Sequence, residues 1–152
     1  MPSGPPNRSI KTDETMFAII ETLQERGGAG VTEVAEAMGM AKASVHHHLS
    51  TMREHGYVTK QGEEYRIGLQ FFQVGTDARN RYPIYQAAQS RLRSLAEETG
   101  ETAWCVVKEN ARGMFLDGYA EQDTLDPNAV VGSWAWLHCT SAGKAILAHL
   151  SD

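Results

Sequence analysis

Three short amphipathic segments, each followed by glycine, occupy the first part of the chain and constrain its fold more than any other feature. The first covers residues 12–26 and precedes Gly27-Gly28; its apolar residues recur at helical spacing, namely Met16, Phe17, Ile20 and Leu23. The second ends at Gly39, and Thr32 is placed to cap it, so it has room for only about two helical turns. The third runs from residue 42 to 55 and ends at Gly56, with Val45, Leu49 and Met52 on one face. The pattern predicts three successive helices with a tight turn before the third.

The spacing of the apolar residues changes directly after Gly56. Residues 57–60 and 64–67 are short β-prone runs separated by residues 61–63, which is typical of a hairpin. Two helices, a turn, a third helix and a hairpin make up the plan of a winged helix-turn-helix domain. In that plan the second helix and the turn brace the third helix, so that its outer face can enter the major groove of DNA. We therefore expect this domain over residues 9–68, after a flexible lead-in over residues 1–8.

The second half of the chain mixes helices and strands. Residues 69–78 predict a connecting helix, and residues 83–98 predict a longer one with an apolar stripe made of Ile84, Ala87, Ala88, Leu92, Leu95 and Ala96. Residues 102–107 and 114–119 predict two antiparallel strands joined across residues 110–113, and residues 120–133 predict a loop or a weak strand. Thr140 is expected to cap a last helix over residues 141–150. The expected fold class is α+β: a winged helix-turn-helix, then a linker helix and a partial α+β domain over residues 69–152.

Composition excludes several classes of protein. Hydrophobic residues make up 41% and charged residues 22% of the 152 residues, which is ordinary globular usage and argues against a disordered chain. No apolar stretch approaches the roughly 18 residues of a membrane helix, and the N-terminus has no signal-peptide core, so we expect a cytoplasmic protein without a membrane partner. Cys105 and Cys139 are too few for a disulfide framework, and both are expected to be reduced, half-buried thiols.

The outer face of the third helix carries the candidate DNA contacts. With Val45, Leu49 and Met52 turned inward, 100° steps per residue leave an exposed set made of Lys42, Ala43, Ser44, His46 and His47, with Ser50 further along. Lys42 suits a phosphate, Ser44 a phosphate or a base edge, and the small Ala43 permits close approach. Thr32 on the second helix and Lys60 and Arg66 on the hairpin complete the candidate set. Residues 1–68 hold seven Lys and Arg against nine Asp and Glu, so we expect weak non-specific binding to DNA.

Metal binding and catalysis are not expected, and no cofactor is implied. His46, His47 and His48 diverge by about 100° per residue on a helix, so the three cannot chelate one ion together. Residues 141–144 lack the upstream glycine of a phosphate-binding loop, and Ala145 follows Lys144 where that loop has Ser or Thr. Gly143 and Lys144 are instead expected to serve helix packing and the surface. No serine, histidine and acid form an evident catalytic set.

Four motifs together resemble one known family, the IclR-type transcription regulators. VTEVAEAMG at residues 31–39 with KASVH at residues 42–46 resembles the family's helix-turn-helix, and YRIGL at residues 65–69 resembles its exit from the wing. LAEETGET at residues 95–102 resembles its helix-to-strand step, and LHCTSAGKAILA at residues 137–148 resembles its effector-domain signature. The resemblance covers nearly everything after residue 8.

The resemblance implies a dimeric or higher-order regulator that binds operator DNA through its N-terminal domain and senses a small organic molecule through its C-terminal domain. His47 stands where the family often has Arg, which would change the bases that are read. Family members usually continue well beyond residue 152, so the effector domain is expected to be incomplete here, with exposed apolar surface around Trp104, Phe115 and Trp136. Two alternatives remain: a dimerisation partner or truncated product that does not itself bind DNA, and a thiol-based redox regulator acting through Cys105 or Cys139.

Overall fold

A computed structural model describes residues 10–120 and 126–150, and the predicted flexible lead-in over residues 1–8 lies outside that range. The chain divides into two compact units, the first ending at Gly75 and the second beginning at Thr76. None of the helices in the described ranges is long and apolar enough to cross a membrane.

The first unit is a three-helix domain with a small sheet. Its elements are α1 (Lys11–Arg26), β1 (Ala29–Gly30), α2 (Val31–Met38), α3 (Lys42–Glu54), β2 (Val58–Gln61) and β3 (Glu64–Ile67). The three strands are antiparallel in the order β1-β3-β2. The three predicted helices and the hairpin are confirmed, but β1 was not predicted, because two residues between helices carry no alternating pattern.

The core of the first unit is formed by one apolar face from each helix together with the hairpin. Its fully buried residues include Ile19, Val34, Val45, Leu49 and Tyr65. Gly27 and Gly39 have left-handed backbone angles, φ 69° and 61°, which residues other than glycine adopt at a cost, and they end α1 and α2 as predicted.

Thr32 does not cap α2, contrary to the sequence prediction. The N-cap residue is Gly30, whose backbone N–H donates to the Glu33 carboxylate at 2.7 Å. Thr32 lies inside the first turn with its side chain exposed. The pairing of β1 with β3 fixes the chain before Val31, so the helix starts earlier than the threonine suggests.

α4 (Gln70–Asn80) runs across the boundary between the units, and the rest of the second unit places one long helix against a sheet. Its elements are α5 (Pro83–Thr99), β4 (Ala103–Glu109), β5 (Arg112–Tyr119), β6 (Trp134–Trp136) and α6 (Ser141–Leu147). The sheet order is β4-β5-β6, all antiparallel. Leu92 and Ala96 of α5 pack with Ala103, Cys105 and Leu116 of the sheet.

The second unit corrects several predictions. β6 lies just after residues 120–133, for which the sequence predicts a loop or a weak strand, and no strand was predicted at Trp134–Trp136 itself. The β4–β5 hairpin turns more tightly than expected, through Asn110 and Ala111, which both have positive φ. Ile84 and Leu95 of the expected apolar stripe are about half exposed, at 53% and 51%. The Thr140 hydroxyl accepts from the Gly143 N–H at 3.0 Å and caps α6 as predicted, but α6 ends at Leu147 rather than at residue 150.

Candidate DNA-binding surface

α3 is fixed to the first unit by its inner face. Val45 and Leu49 are completely buried and Met52 is nearly so, which confirms the inner face predicted from helical spacing. Turning α3 about its axis would pull these side chains out of the core and leave a cavity behind. Their packing therefore fixes the rotation of α3. The rotation in turn decides which residues face solvent.

The outer face of α3 presents the predicted residues at its N-terminal half. Lys42, Ala43, Ser44, His46 and His47 are all exposed. Ser50, expected on the same face, is only half exposed. The His46 and His47 rings meet edge to face with centroids 6.4 Å apart, so both imidazoles stand on one short stretch of surface. The structure thus brings together five of the predicted residues within two helical turns.

The N-terminus of α3 adds backbone donors to this face. Its N-cap residue is Ala41, which has no side chain able to cap the helix. The free N–H groups of a first helical turn, with the positive end of the helix dipole, attract anions. Lys42 carries a positive charge at the same place, and no described residue forms an ion pair with it. This end of α3 is therefore suited to a backbone phosphate.

The β2–β3 hairpin, called the wing below (residues 58–67), carries Lys60 and Arg66 on opposite faces. Lys60 is paired in register with Tyr65, whereas Arg66 is paired with Thr59, and side chains on paired positions share a face. The Lys60 ammonium lies 5.4 Å from the centre of the buried Tyr65 ring. The sequence predicted both residues as DNA contacts, but the structure does not bring them to one surface.

Each wing cation has an acidic partner on the wing itself. Lys60 Nζ lies 3.5 Å from Glu63 Oε2, and Arg66 Nη2 lies 3.0 Å from Glu64 Oε2. The stem of Arg66 also passes over Gly28, where an added Cβ would lie 2.9 Å from Arg66 Cγ. Sequence reasoning missed the two glutamates, although they sit beside the turn and were readable as partners of the nearby cations.

Within the second unit, the structure shows what the residues of the predicted effector-domain signature do. An added Cβ on Gly143 would overlap the Leu137 carbonyl, so the glycine permits α6 to lie against the segment before it, as predicted. Lys144 is exposed. No three His, Cys, Asp or Glu side chains among the described residues are grouped so that they could hold a metal ion.

The two cysteines differ in environment, so the expectation that both are half-buried is wrong. Cys105 is buried in the core of the second unit, and Cys139 is exposed. Burial raises the pKa of the Cys105 thiol, and the nearby Asp117 carboxylate raises it further. Both effects disfavour the thiolate, which is the reactive form of a cysteine.

Comparison with known proteins finds matches along most of the chain. The model of the IclR helix-turn-helix domain matches residues 16–62, and that of the bacterial transcriptional regulator IclR C-terminal region matches residues 76–152. The transcriptional repressor IclR of Escherichia coli K12 is 29% identical over 155 residues, covering 99% of this chain and 57% of that protein. The HTH-type transcriptional regulator KdgR of Dickeya chrysanthemi is 28% identical over 142 residues, covering 92% of this chain and 47% of that protein.

The fold is similar to solved structures as well. The crystal structure of the Thermotoga maritima IclR superposes with a TM-score of 0.75 at 25% identity, covering 92% of this chain and 57% of that one. The chain spans about half the length of the curated relatives it matches. Since the two family models together account for both units, the chain belongs to the IclR family of bacterial transcriptional regulators.

Proposed function

We propose that the chain is a regulator that binds operator DNA in a sequence-specific manner, with the N-terminal half of α3 in the major groove. The observation that carries this proposal is one exposed face of α3 opposite the buried Val45, Leu49 and Met52. The exposed residues are Lys42, Ala43, Ser44, His46 and His47. A helix presented in this way by a preceding helix and turn is the reading element of helix-turn-helix proteins. The relatives named as transcriptional regulators and repressors support the same activity.

The roles proposed for the residues follow from their chemistry. Lys42 and the uncapped N-terminus of α3 bind a phosphate and set the position of the helix. Ser44, His46 and His47 contact base edges, and Ala43 permits close approach or touches a thymine methyl. Thr32, Ser50, Lys60 and Arg66 are the remaining candidates, for contacts to the DNA backbone.

We propose a domain organisation in which residues 9–68 bind DNA and residues 69–152 comprise the linker helix and part of an effector-binding domain. The proposed effector is a small organic molecule, the proposed assembly is a homodimer or higher oligomer, and the proposed location is the cytoplasm. The relatives are transcriptional regulators, which are not enzymes, and we propose that this chain has no catalytic activity and needs no cofactor.

The test is a salt-titrated binding assay of the purified chain. Labelled DNA from upstream of its own gene is bound at several salt concentrations, with random-sequence DNA as competitor. We expect binding that survives the competitor and a logarithm of affinity that falls linearly with the logarithm of salt concentration. A folded protein that fails to bind even at low salt would refute the proposal, and the dimerisation-partner alternative would then take its place.

A further inference from the structure

The wing is electrically neutral although it belongs to a domain proposed to bind a polyanion. Residues 58–67 hold two cations, Lys60 and Arg66, and two anions, Glu63 and Glu64. Both cations are within ion-pair distance of a glutamate on the same hairpin. A wing in this state has no net positive charge to attract DNA, because a glutamate carboxylate within a few ångströms neutralises each cation.

The Lys60–Glu63 pair is built differently from the Arg66–Glu64 pair. The Lys60 side chain is only 29% exposed and lies against the Tyr65 ring, whereas the Glu63 side chain is 95% exposed at the tip of the hairpin. The Glu63 carboxylate already lies 3.5 Å from the Lys60 ammonium, so a phosphate that binds this ammonium has to compete with it. Arg66 is held on the other face, with its stem over Gly28.

An exposed ion pair of this kind contributes little free energy, so a DNA phosphate can displace Glu63 from Lys60 at a small cost. Its two partners are screened by water and salt, and the Glu63 side chain loses conformational freedom in pairing. A phosphate offers Lys60 the same interaction and releases a counterion from DNA in return. The affinity gained at Lys60 is then reduced by the cost of displacing Glu63.

We propose that Glu63 is an intramolecular competitor of the DNA phosphate for Lys60, and that this pair sets how much the wing contributes to DNA affinity. The inference rests on the proposed function, because it assigns a regulating contact to the same DNA-binding surface. It makes Glu63 a determinant of affinity that does not itself touch DNA in the bound state.

A double-mutant cycle on the full chain tests the competition. The four proteins are the wild type, Glu63→Gln, Lys60→Gln and the double variant, each titrated with the upstream DNA at several salt concentrations. Opening an exposed pair corresponds to an affinity gain of about twofold to fivefold, so we expect Glu63→Gln to tighten binding by that factor. We also expect the salt dependence to steepen by up to about one counterion, and both effects to vanish in the Lys60→Gln background.

Glu64→Gln is the matched control, because it removes the same charge one residue away and on a different pair. We expect the affinity change caused by Glu64→Gln to be the same in the wild-type and the Lys60→Gln backgrounds. An equal gain from Glu63→Gln in both of these backgrounds would show that Glu63 acts only through its general charge and would overturn the inference. No gain in the wild-type background would overturn it too. Wild-type protein that is folded by circular dichroism and binds no DNA would instead overturn the proposed function and the inference with it.

Discussion

At the scale of single residues, the candidate surface rests on side chains that contribute little to the fold. Lys42 and His47 are exposed on α3, so their removal leaves the buried anchor made of Val45, Leu49 and Met52 intact. Residues of this kind separate binding from stability in an experiment, since exposed substitutions away from caps and cores usually change stability very little.

The double variant Lys42→Ala with His47→Ala should lose specific DNA binding by about tenfold or more, because a phosphate contact and a base contact disappear together. The salt slope should fall by about one for the lost lysine contact. Lys108→Ala is the matched control, since Lys108 is an exposed lysine on β4. Affinity equal to that of the wild type in the double variant would contradict the assignment of α3.

The two thiols should react at very different rates with an aromatic disulfide reagent in the native protein. Cys139 is exposed and should label fast, whereas Cys105 is buried with a raised pKa and should label only after unfolding. The variant Cys139→Ser should leave no rapidly labelled thiol. Fast labelling of two thiols in native protein would contradict this and would restore Cys105 as a redox candidate.

The raised pKa of Cys105 also predicts a dependence of stability on pH. Above the ordinary pKa of a thiol the unfolded chain loses this proton while the folded chain keeps it, so the free energy of unfolding falls as pH rises. The variant Cys105→Ala should show a shallower decline over the same alkaline range in urea unfolding. Parallel declines in the two proteins would mean that Cys105 does not contribute.

At the scale of elements, two helical glycines with opposite surroundings give opposite expectations. Gly143 of α6 has no room for a Cβ, because the Leu137 carbonyl occupies that space. Gly75 of α4 has nothing within 4 Å of the place where a Cβ would lie. The same substitution to alanine therefore tests packing at one site and helix propensity at the other.

Gly143→Ala should destabilise the second unit by about 1 to 3 kcal/mol, since α6 must move away from Leu137. Gly75→Ala should instead stabilise α4 by up to about 1 kcal/mol, which urea unfolding followed by far-ultraviolet circular dichroism of the helices would detect. All three tryptophans, Trp104, Trp134 and Trp136, lie in the second unit, so tryptophan fluorescence during urea unfolding follows that unit. A Gly143→Ala transition at the wild-type urea midpoint would refute the packing role.

At the scale of the whole molecule, the sequence predicted exposed apolar surface around Trp104, Phe115 and Trp136, but among the described residues the most exposed apolar side chains include Leu69 and Phe72. Trp104 and Phe115 are half-buried and pack edge to face with ring centroids 5.3 Å apart, so of the three residues expected to be exposed only Trp136 is. The larger exposures are on the first part of α4 and just before it, at Leu69 (83%) and Phe72 (71%). Phe17 of α1 is also exposed, beside an apolar cleft of about 360 Å³ that Phe71 lines as well.

Such surface should make the chain self-associate and bind an apolar fluorescent dye. In sedimentation velocity over a concentration series, the variant Leu69→Gln with Phe72→Gln should shift the distribution towards monomer. Gln73→Ala, an exposed polar position on the same helix, should leave it unchanged. A wild-type chain that is monomeric at all concentrations and does not bind the dye would contradict this prediction.

Local pattern was enough to determine which segments are helical, the glycine ends of α1, α2 and α5, the wing and the inner face of α3. Each of these depends on interactions within a few residues, such as the spacing of Val45, Leu49 and Met52 or the left-handed backbone at Gly39, and these are visible in the sequence. The candidate surface could be named for the same reason, since burying one face of a helix exposes the other.

Only the tertiary structure decided features that depend on residues far apart in the chain. β1 and β6 exist because β3 and β5 offer them hydrogen-bonding partners, and Gly30 replaces Thr32 as the cap because β1 fixes the chain before it. The exposure of Ile84 and Leu95 and the burial of Cys105 depend on how α5 lies on the sheet. The placement of Lys60 and Arg66 on opposite faces depends on the strand register, which a one-residue shift would reverse, so residue type alone could not determine it.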